Sequence, residues 1–169
     1  DLAAAAAPMF KSLPVASPVS MTSKLSERNA LWAARRGLYT TVAGNRRSGT
    51  NALLEDVVVP VEVLGNTCSD LTKLFDAHGY QDSVIFGHAK DGNIHFMLNE
   101  QFRDPKQLDR YRDFTEEMVQ LILGNEGSLK AEHGTGRIMA PFVSRQFGEE
   151  LFDVMRQIKR LIDPKGFMN

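Results

Sequence analysis

Apolar residues recur at helical spacing, three or four positions apart, in three segments of the chain, residues 64–78, 104–124 and 148–162. Residues at this spacing lie on one face of a helix, so each segment predicts a helix that buries an apolar stripe. A fourth helix is predicted over residues 23–38, where apolar residues occur before an end near Gly37. In the helix over residues 148–162, the stripe predicted to be buried consists of Leu151, Met155, Ile158 and Ile162.

A β-hairpin is predicted where the dipeptide Asp91-Gly92 separates two apolar runs, residues 83–87 and 94–98. Asp-Gly is a strong hairpin signal because both central residues of a type I′ turn need positive φ. A two-residue turn at this point would pair His88 directly with His95. Directly paired side chains project from the same face of a sheet, with Cβ atoms about 4.5–5.5 Å apart.

Two further strands are predicted outside the hairpin. Residues 53–60 contain three consecutive valines before a closing proline, as expected for a buried strand. Residues 128–132 form a short candidate strand. The order is therefore helix, strand, helix, hairpin, helix, strand, helix, which predicts an α+β fold with helices on one face of a mostly antiparallel sheet.

The first 22 residues differ from the rest in composition. Residues 1–22 include Pro8, Pro14 and Pro18 among alanines and serines, so we expect a linker or irregular lead-in. Residues 23–169 then form the folded domain. The chain does not begin with methionine and lacks the basic region of a secretory signal, so we expect a piece of a longer polypeptide.

Overall charge and composition exclude several classes of function. A formal net charge of −1 argues against electrostatic binding to nucleic acid or to acidic membranes. No apolar run approaches the roughly 18 residues of a transmembrane helix. A single cysteine excludes an internal disulfide framework and fits a reducing compartment, so a cytoplasmic protein is expected.

The two histidines of the predicted hairpin are the strongest candidates for chemistry. Two imidazoles on one face can share a metal ion, although one buried structural histidine and one exposed histidine would give the same pattern. Glu132 is the best third ligand, because it precedes His133 and two glycines that permit a tight turn. Two histidines and one carboxylate leave coordination positions open, as in catalytic zinc, iron or manganese sites.

Two other groups of polar residues have alternative interpretations. Arg46 and Arg47 lie in a polar loop and form either a solvated turn or a planar fork that recognises a substrate carboxylate. His78, at a predicted helix end, is interpreted as a surface residue.

Several separated motifs together resemble one known family. They are residues 87–96 (GHAKDGNIHF), 127–137 (GSLKAEHGTGR) and 163–169 (DPKGFMN), supported by residues 32–36 and 55–60. This combination resembles the C-terminal domain of FAD-linked oxidases, flavoenzymes that oxidise D-2-hydroxy acids such as D-lactate, glycolate and D-2-hydroxyglutarate. The second motif is most similar to large bacterial members fused to an iron–sulfur region.

The resemblance implies a ferredoxin-like cap domain that supplies the substrate side of the active site. FAD would be held mainly by another domain of the same polypeptide. His88, His95 and Glu132 match the family's ligands for a divalent metal, namely zinc, manganese or iron. His133 matches the catalytic base beside the flavin.

The resemblance also assigns substrate and cofactor contacts. Arg35 matches a substrate-carboxylate arginine, Arg46 is a second candidate, and Asn169 falls in the C-terminal motif on the cofactor side. Met97 stands where some members carry an asparagine, and Leu54 where some carry a lysine. The full-length enzyme is expected in the cytoplasm or bound peripherally at the inner face of the membrane.

Three hypotheses follow for the function. The leading one is a substrate- and metal-binding domain of an FAD-dependent 2-hydroxy-acid dehydrogenase, inactive without its flavin domain. The second is a stand-alone metal- or ligand-binding module without redox activity. The third is a metal-dependent hydrolase, which would turn over without flavin.

Overall fold

The computed structural model of the chain describes residues 2–11, 13–14 and 17–168. The chain divides into two compact units, residues 1–45 and residues 46–169. The candidate histidines and Glu132 all lie in the second unit.

The first unit contains two helices, α1 (Leu2–Lys11) and α2 (Leu25–Gly44). Helix α1 lies within the segment predicted as a linker or irregular lead-in, and its run of alanines has the highest helix propensity. Helix α2 continues past Gly37, where its end was predicted. A single interior glycine costs a helix only about 1 kcal/mol, which the flanking turns of α2 tolerate.

The second unit combines a small sheet with four helices. Its elements are β1 (Asn51–Val58), α3 (Leu64–Ala77), β2 (Val84–Phe86), β3 (Asn93–Glu100), α4 (Pro105–Gly124), α5 (Gly136–Met139) and α6 (Val143–Ile162). Short 3-10 turns occur at Val61–Val63, Ala89–Asp91 and Ala140–Phe142. The strand order is β1-β3-β2 and both pairings are antiparallel, which confirms the predicted α+β class.

One face of the sheet forms the hydrophobic core with α3 and α4. Ile94 and Phe96 of β3 are fully buried there, and Val57 pairs with Ile94 on the same face. Phe75 of α3 and Phe114 of α4 stack at 5.8 Å between ring centroids. Burial of side chains of this size contributes about 1.5–3 kcal/mol each. Residues that alternate with them, including Asp56 and His95, therefore project from the opposite face.

The predicted two-residue hairpin turn was wrong. Phe86 pairs with His95, so His88 lies beyond the end of β2, in a connection that contains a 3-10 turn. The Asn93 side chain accepts a hydrogen bond from the His88 backbone N–H at 3.2 Å, a contact that an isolated Asp-Gly signal does not encode. Gly92 has a φ of 69° and lies so close to the Val59 carbonyl that a Cβ would collide with it.

The predicted strand at residues 128–132 was also wrong. Only Ser128 forms a bridge to β1, opposite Val58. The next residues cannot continue the ladder, because the backbone N–H groups of Ala131, Glu132 and His133 donate to the side chain of Asp56 instead.

Helix α6 differs from its prediction in burial. The helix includes the predicted segment, with a kink at Gly148 where its start was predicted, but none of its described residues is buried. Leu151, Ile158 and Ile162 are more than half exposed. An amphipathic pattern identifies an apolar face but does not supply a partner for it. No helix among the described residues is long and apolar enough to cross a membrane.

Candidate metal-binding active site

The candidate site lies on the face of the sheet opposite the core. Asp56 of β1 and His95 of β3 are directly paired, and both are buried. Phe86 of β2 pairs with His95 on its other side, with the two rings 5.5 Å apart. Because β3 is the middle strand of the sheet, His95 lies between a residue of β1 and a residue of β2.

His88 reaches this face from the connection after β2. The centroids of the His88 and His95 rings are 5.6 Å apart, with the rings nearly perpendicular. The two imidazoles thus face the same space, although their backbone positions are not paired as the sequence predicted. Half of the His88 side chain is exposed, whereas that of His95 is almost completely buried.

Glu132 brings a carboxylate to the two histidines from a distant part of the chain. Its Oε1 lies 2.8 Å from His95 Nε2 and 3.4 Å from His88 Nε2. One ligand atom from each residue lies within 4.8 Å of the other two. Ligand atoms around a tetrahedral ion with 2.0–2.1 Å bonds are about 3.3 Å apart, so this donor set has the chemistry and the spacing for a divalent cation.

An open cavity of about 440 Å³ adjoins these ligands. Its lining residues are Val58, His88, Asp91, Asn93, Ala131 and Glu132. A volume of this size accommodates a small organic molecule beside the ligand atoms.

Asp56 holds the turn that carries Glu132. Its Oδ2 accepts hydrogen bonds from the backbone N–H groups of Ala131, Glu132 and His133 at 2.8–3.0 Å, and its Oδ1 accepts one from Asn93 Nδ2 at 2.7 Å. Burial opposes ionisation of this carboxyl, but these donors favour its charged form, and its pKa lies below the usual value. Asp56 is therefore a buried carboxylate with each oxygen hydrogen-bonded.

His133 lies next to the candidate ligands. Its ring stacks on that of His95 at 5.2 Å between centroids. Its Nδ1 is 3.9 Å from Asp56 Oδ2, and 43% of its side chain is exposed. This exposure leaves the ring accessible to a small molecule.

Arg35 and Arg46, the residues predicted to bind the substrate carboxylate, lie in different units of the chain. Arg35 is on α2 in the first unit, where it lines a shallow pocket with Trp32. Arg46 lies in the second unit, and its Nε donates to the Thr50 carbonyl at 3.0 Å. Asn169 lies outside the described residues.

Two of the remaining polar residues have partners away from the candidate ligands. His78 ends α3, with its Nε2 3.2 Å from Glu117 Oε1. Its side chain is only 13% exposed and its ring lies edge-on to Phe114 at 5.7 Å, so it is more buried than the predicted surface residue. Arg47 forms an exposed ion pair with Asp82 at 3.3 Å.

Sequence reasoning did not identify Asp56 or Asn93 as parts of the site. The available signal was the acidic pair Glu55-Asp56 inside a run predicted to be buried, since buried carboxylates require partners. Leu54 and Met97, the two departures from the resembled family, are directly paired one row along the sheet from Asp56 and His95 on the same face.

Comparison with known proteins gives consistent matches. The chain is 31% identical over 146 residues to the mitochondrial D-lactate dehydrogenase (cytochrome) 1 of Saccharomyces cerevisiae, covering 85% of this chain. It is 29% identical over 144 residues to the glycolate oxidase subunit GlcD of Bacillus subtilis, again covering 85% of this chain. It is 33% identical over 138 residues, 80% of this chain, to the D-2-hydroxyglutarate dehydrogenase of Escherichia coli.

The matched region is a minor part of each relative. It spans 24% of the yeast protein, 30% of the Bacillus protein and 13% of the Escherichia coli protein. All 169 residues match the family described as FAD linked oxidases, C-terminal domain. Because this match covers the whole chain, the chain belongs to the C-terminal domain family of the FAD-linked oxidases, a family of oxidoreductases.

Proposed function

We propose that this chain is the substrate- and metal-binding domain of an FAD-dependent dehydrogenase that oxidises a D-2-hydroxy acid to the 2-oxo acid. One observation carries the proposal, which is the convergence of His88, His95 and Glu132 beside the accessible ring of His133. The names of the similar proteins suggest the substrate class, with D-lactate and D-2-hydroxyglutarate as the candidates.

His88 Nε2, His95 Nε2 and Glu132 Oε1 would hold the divalent cation, which is zinc, manganese or iron in this proposal. When bound, a cation polarises the 2-hydroxyl and a carboxylate oxygen of the substrate and so lowers the pKa of the alcohol. The three protein ligands leave coordination positions for these two substrate oxygens. The adjoining cavity gives the substrate access from the side of His88.

His133 is the base in this proposal. Its imidazole accepts the proton of the 2-hydroxyl, and the C2–H bond breaks with departure of a hydride, so the C–O bond becomes the carbonyl of the 2-oxo acid. FAD, held mainly by another domain of the same polypeptide, supplies the acceptor for this hydride and its two electrons. Asp56, 3.9 Å from His133 Nδ1, stabilises the imidazolium that the proton transfer creates.

Substrate and cofactor contacts outside this face remain proposals. A guanidinium suits the substrate carboxylate because its planar fork can donate two parallel hydrogen bonds, and Arg35 and Arg46 are the candidates. Asn169 is proposed to contact the cofactor. An iron–sulfur region elsewhere in the full-length protein and peripheral binding to the inner face of the membrane belong to the same proposal.

The full-length protein with bound FAD tests this function. Under anaerobic conditions, D-lactate, glycolate and D-2-hydroxyglutarate are each mixed with the protein, and the flavin absorbance is followed. We expect bleaching with at least one of them, slower bleaching after removal of the metal with a chelator, and none with L-lactate. Absence of bleaching with every acid would contradict the proposal, and turnover without flavin would favour the hydrolase.

A further inference from the structure

One buried side chain contacts every segment that carries a proposed ligand, although it is not itself among the ligands. Asp56 is fully buried at the centre of the site face of β1. Building on the function proposed above, we infer that Asp56 is the positioning residue of this site. It sets the positions of Glu132 and His133 through their backbone, that of His88 through Asn93, and the orientation of the His95 ring directly.

The first connection is to the segment after the Ser128 bridge. Three consecutive backbone N–H groups, of Ala131, Glu132 and His133, point at one carboxylate oxygen of Asp56. This arrangement fixes the path of the backbone at both functional side chains. Glu132 Oε1 is thereby brought within 2.8 Å of His95 Nε2. Hydrogen bonds to an ionised acceptor are stronger than those between neutral groups.

The second connection runs through Asn93 to His88. Asn93 Nδ2 donates to Asp56 Oδ1 at 2.7 Å, and Asn93 Oδ1 accepts from the His88 backbone N–H at 3.2 Å. Asn93 is itself buried, so both of these contacts are shielded from solvent. The Asn93 side chain therefore links Asp56 to the backbone of the connection that carries His88.

The third connection is to the His95 ring. His95 Nδ1 is buried, forms no hydrogen bond of regular geometry within the described part of the chain, and lies 3.4 Å from Asp56 Oδ1. A carboxylate facing one ring nitrogen keeps the proton there and leaves the lone pair on the other nitrogen. This tautomer would leave the Nε2 lone pair free for a cation held between His95 and Glu132.

Asp56 does not suit the alternative role of a metal ligand. Asp56, His95 and His133 also group within metal-binding distance. A cation at this second position would compete with the donors that Asp56 already accepts. The backbone N–H groups displaced from a buried carboxylate would then lose their hydrogen-bond partners, which destabilises the folded segment.

The Asp56→Asn substitution in the full-length, FAD-containing protein tests this role. The amide keeps the shape of the side chain but replaces one acceptor oxygen with a donor. We expect the affinity for Zn²⁺, measured by competition with a chelator, to fall about 10–100-fold, the usual effect of losing a residue that orients metal ligands. Hydrogen exchange at the amides of residues 131–133 should accelerate in the metal-free protein.

Glu100→Gln is the matched control. Glu100 is another buried carboxylate of the same sheet, but its partners are Tyr80, Arg110 and the backbone N–H of Gln101. This variant should lose stability while keeping wild-type affinity for Zn²⁺ and wild-type exchange at residues 131–133. If Asp56→Asn does not fold, Asn93→Ala removes the connection to His88 together with the donor to Asp56 Oδ1 and the Val57 carbonyl, but it keeps the three backbone N–H contacts of Asp56. A severalfold loss of Zn²⁺ affinity is expected from it.

The outcomes separate this inference from the proposed function. His88→Ala removes a proposed ligand and should abolish tight binding of Zn²⁺. Wild-type affinity in Asp56→Asn, or in Asn93→Ala if only that variant folds, together with loss of binding in His88→Ala, would overturn the positioning role alone. Wild-type affinity in all of these variants would overturn the proposed metal site and the inference with it.

Discussion

Glu55 and Asp56 are adjacent on β1, point to opposite faces of the sheet, and are both buried. Glu55, on the core face, has an ion pair with Lys130 at 2.8 Å. Burial raises its pKa above the usual value, and Lys130 only partly opposes this effect. Asp56, on the site face, accepts hydrogen bonds from three backbone N–H groups and from the side-chain amide of Asn93. Its pKa is lowered despite burial.

The difference shows that several hydrogen-bond donors directed at a buried carboxyl can lower its pKa despite burial, whereas the single partner of Glu55 leaves its pKa raised. The core face consists mainly of apolar side chains that stabilise the domain. The site face uses a charged, fully hydrogen-bonded carboxylate to hold groups that could perform chemistry. Substitutions on the two faces should therefore have different effects, and the predictions below test this separation.

The largest effect on chemistry is expected for His133→Gln in the full-length enzyme. Loss of a general base lowers the rate by about 10²–10⁴-fold, and we expect the rate of flavin reduction by substrate to fall by this factor. The metal content should stay unchanged. Stopped-flow absorbance measures the rate, with His78→Gln as a control at the end of α3. Reduction at the wild-type rate would exclude His133 as the base.

On the core face, Phe114→Ala should lower the free energy of unfolding by about 3–5 kcal/mol, because it leaves a cavity among Phe75, Tyr80 and Phe96. Urea unfolding measures this change. Leu108→Ala, at a half-exposed position of the same helix, should change it by only about 0.5 kcal/mol. The fraction of Phe114→Ala that remains folded should bind Zn²⁺ like the wild type. A weaker site in that fraction would show that the two faces are coupled.

A smaller effect is expected on the pH dependence of stability in the metal-free protein. The lowered pKa of Asp56 gives a contribution to the free energy of unfolding that is complete above pH 3.8, the usual pKa. This contribution is lost as the pH falls through the folded-state pKa of Asp56. The raised pKa of Glu55 gives a contribution to the free energy of unfolding that is complete below pH 4.5, the usual pKa. This contribution is lost as the pH rises through the folded-state pKa of Glu55.

The two substitutions Asp56→Asn and Glu55→Gln should accordingly remove opposite limbs of the pH profile. Asp56→Asn should flatten the decline on the acid side, and Glu55→Gln the decline on the neutral side. Urea unfolding from acid to neutral pH in the presence of a chelator gives both profiles. Identical profiles for the two variants would mean that the pKa values of Glu55 and Asp56 are not shifted in opposite directions.

Local sequence signals predicted most of the second unit. The stripe with Leu71 and Phe75 defined α3, and the cap at Asp104, whose side chain accepts from the Lys106 N–H, defined the start of α4. These features depend on residues within a few positions of one another. The grouping of His88 with His95 followed from the hairpin, although the turn itself did not have the predicted form.

The features that escaped prediction depend on distant residues. The partners of Asp56 in the segment after Ser128 lie 75 to 77 positions away in the sequence, so neither segment alone indicates the hydrogen bonds that replace a strand. The connection after β2 takes its form from the Asn93 side chain rather than from Asp91-Gly92 alone. The apolar face of α6 was predicted from its periodicity, but its exposure depends on the elements packed around it.

Anomalous X-ray diffraction from crystals of the protein soaked in Zn²⁺, recorded on both sides of the zinc absorption edge, tests the central claim most directly. The account predicts a peak about 2.0–2.2 Å from His88 Nε2, His95 Nε2 and Glu132 Oε1. A zinc peak elsewhere, with none between these three atoms, would contradict it.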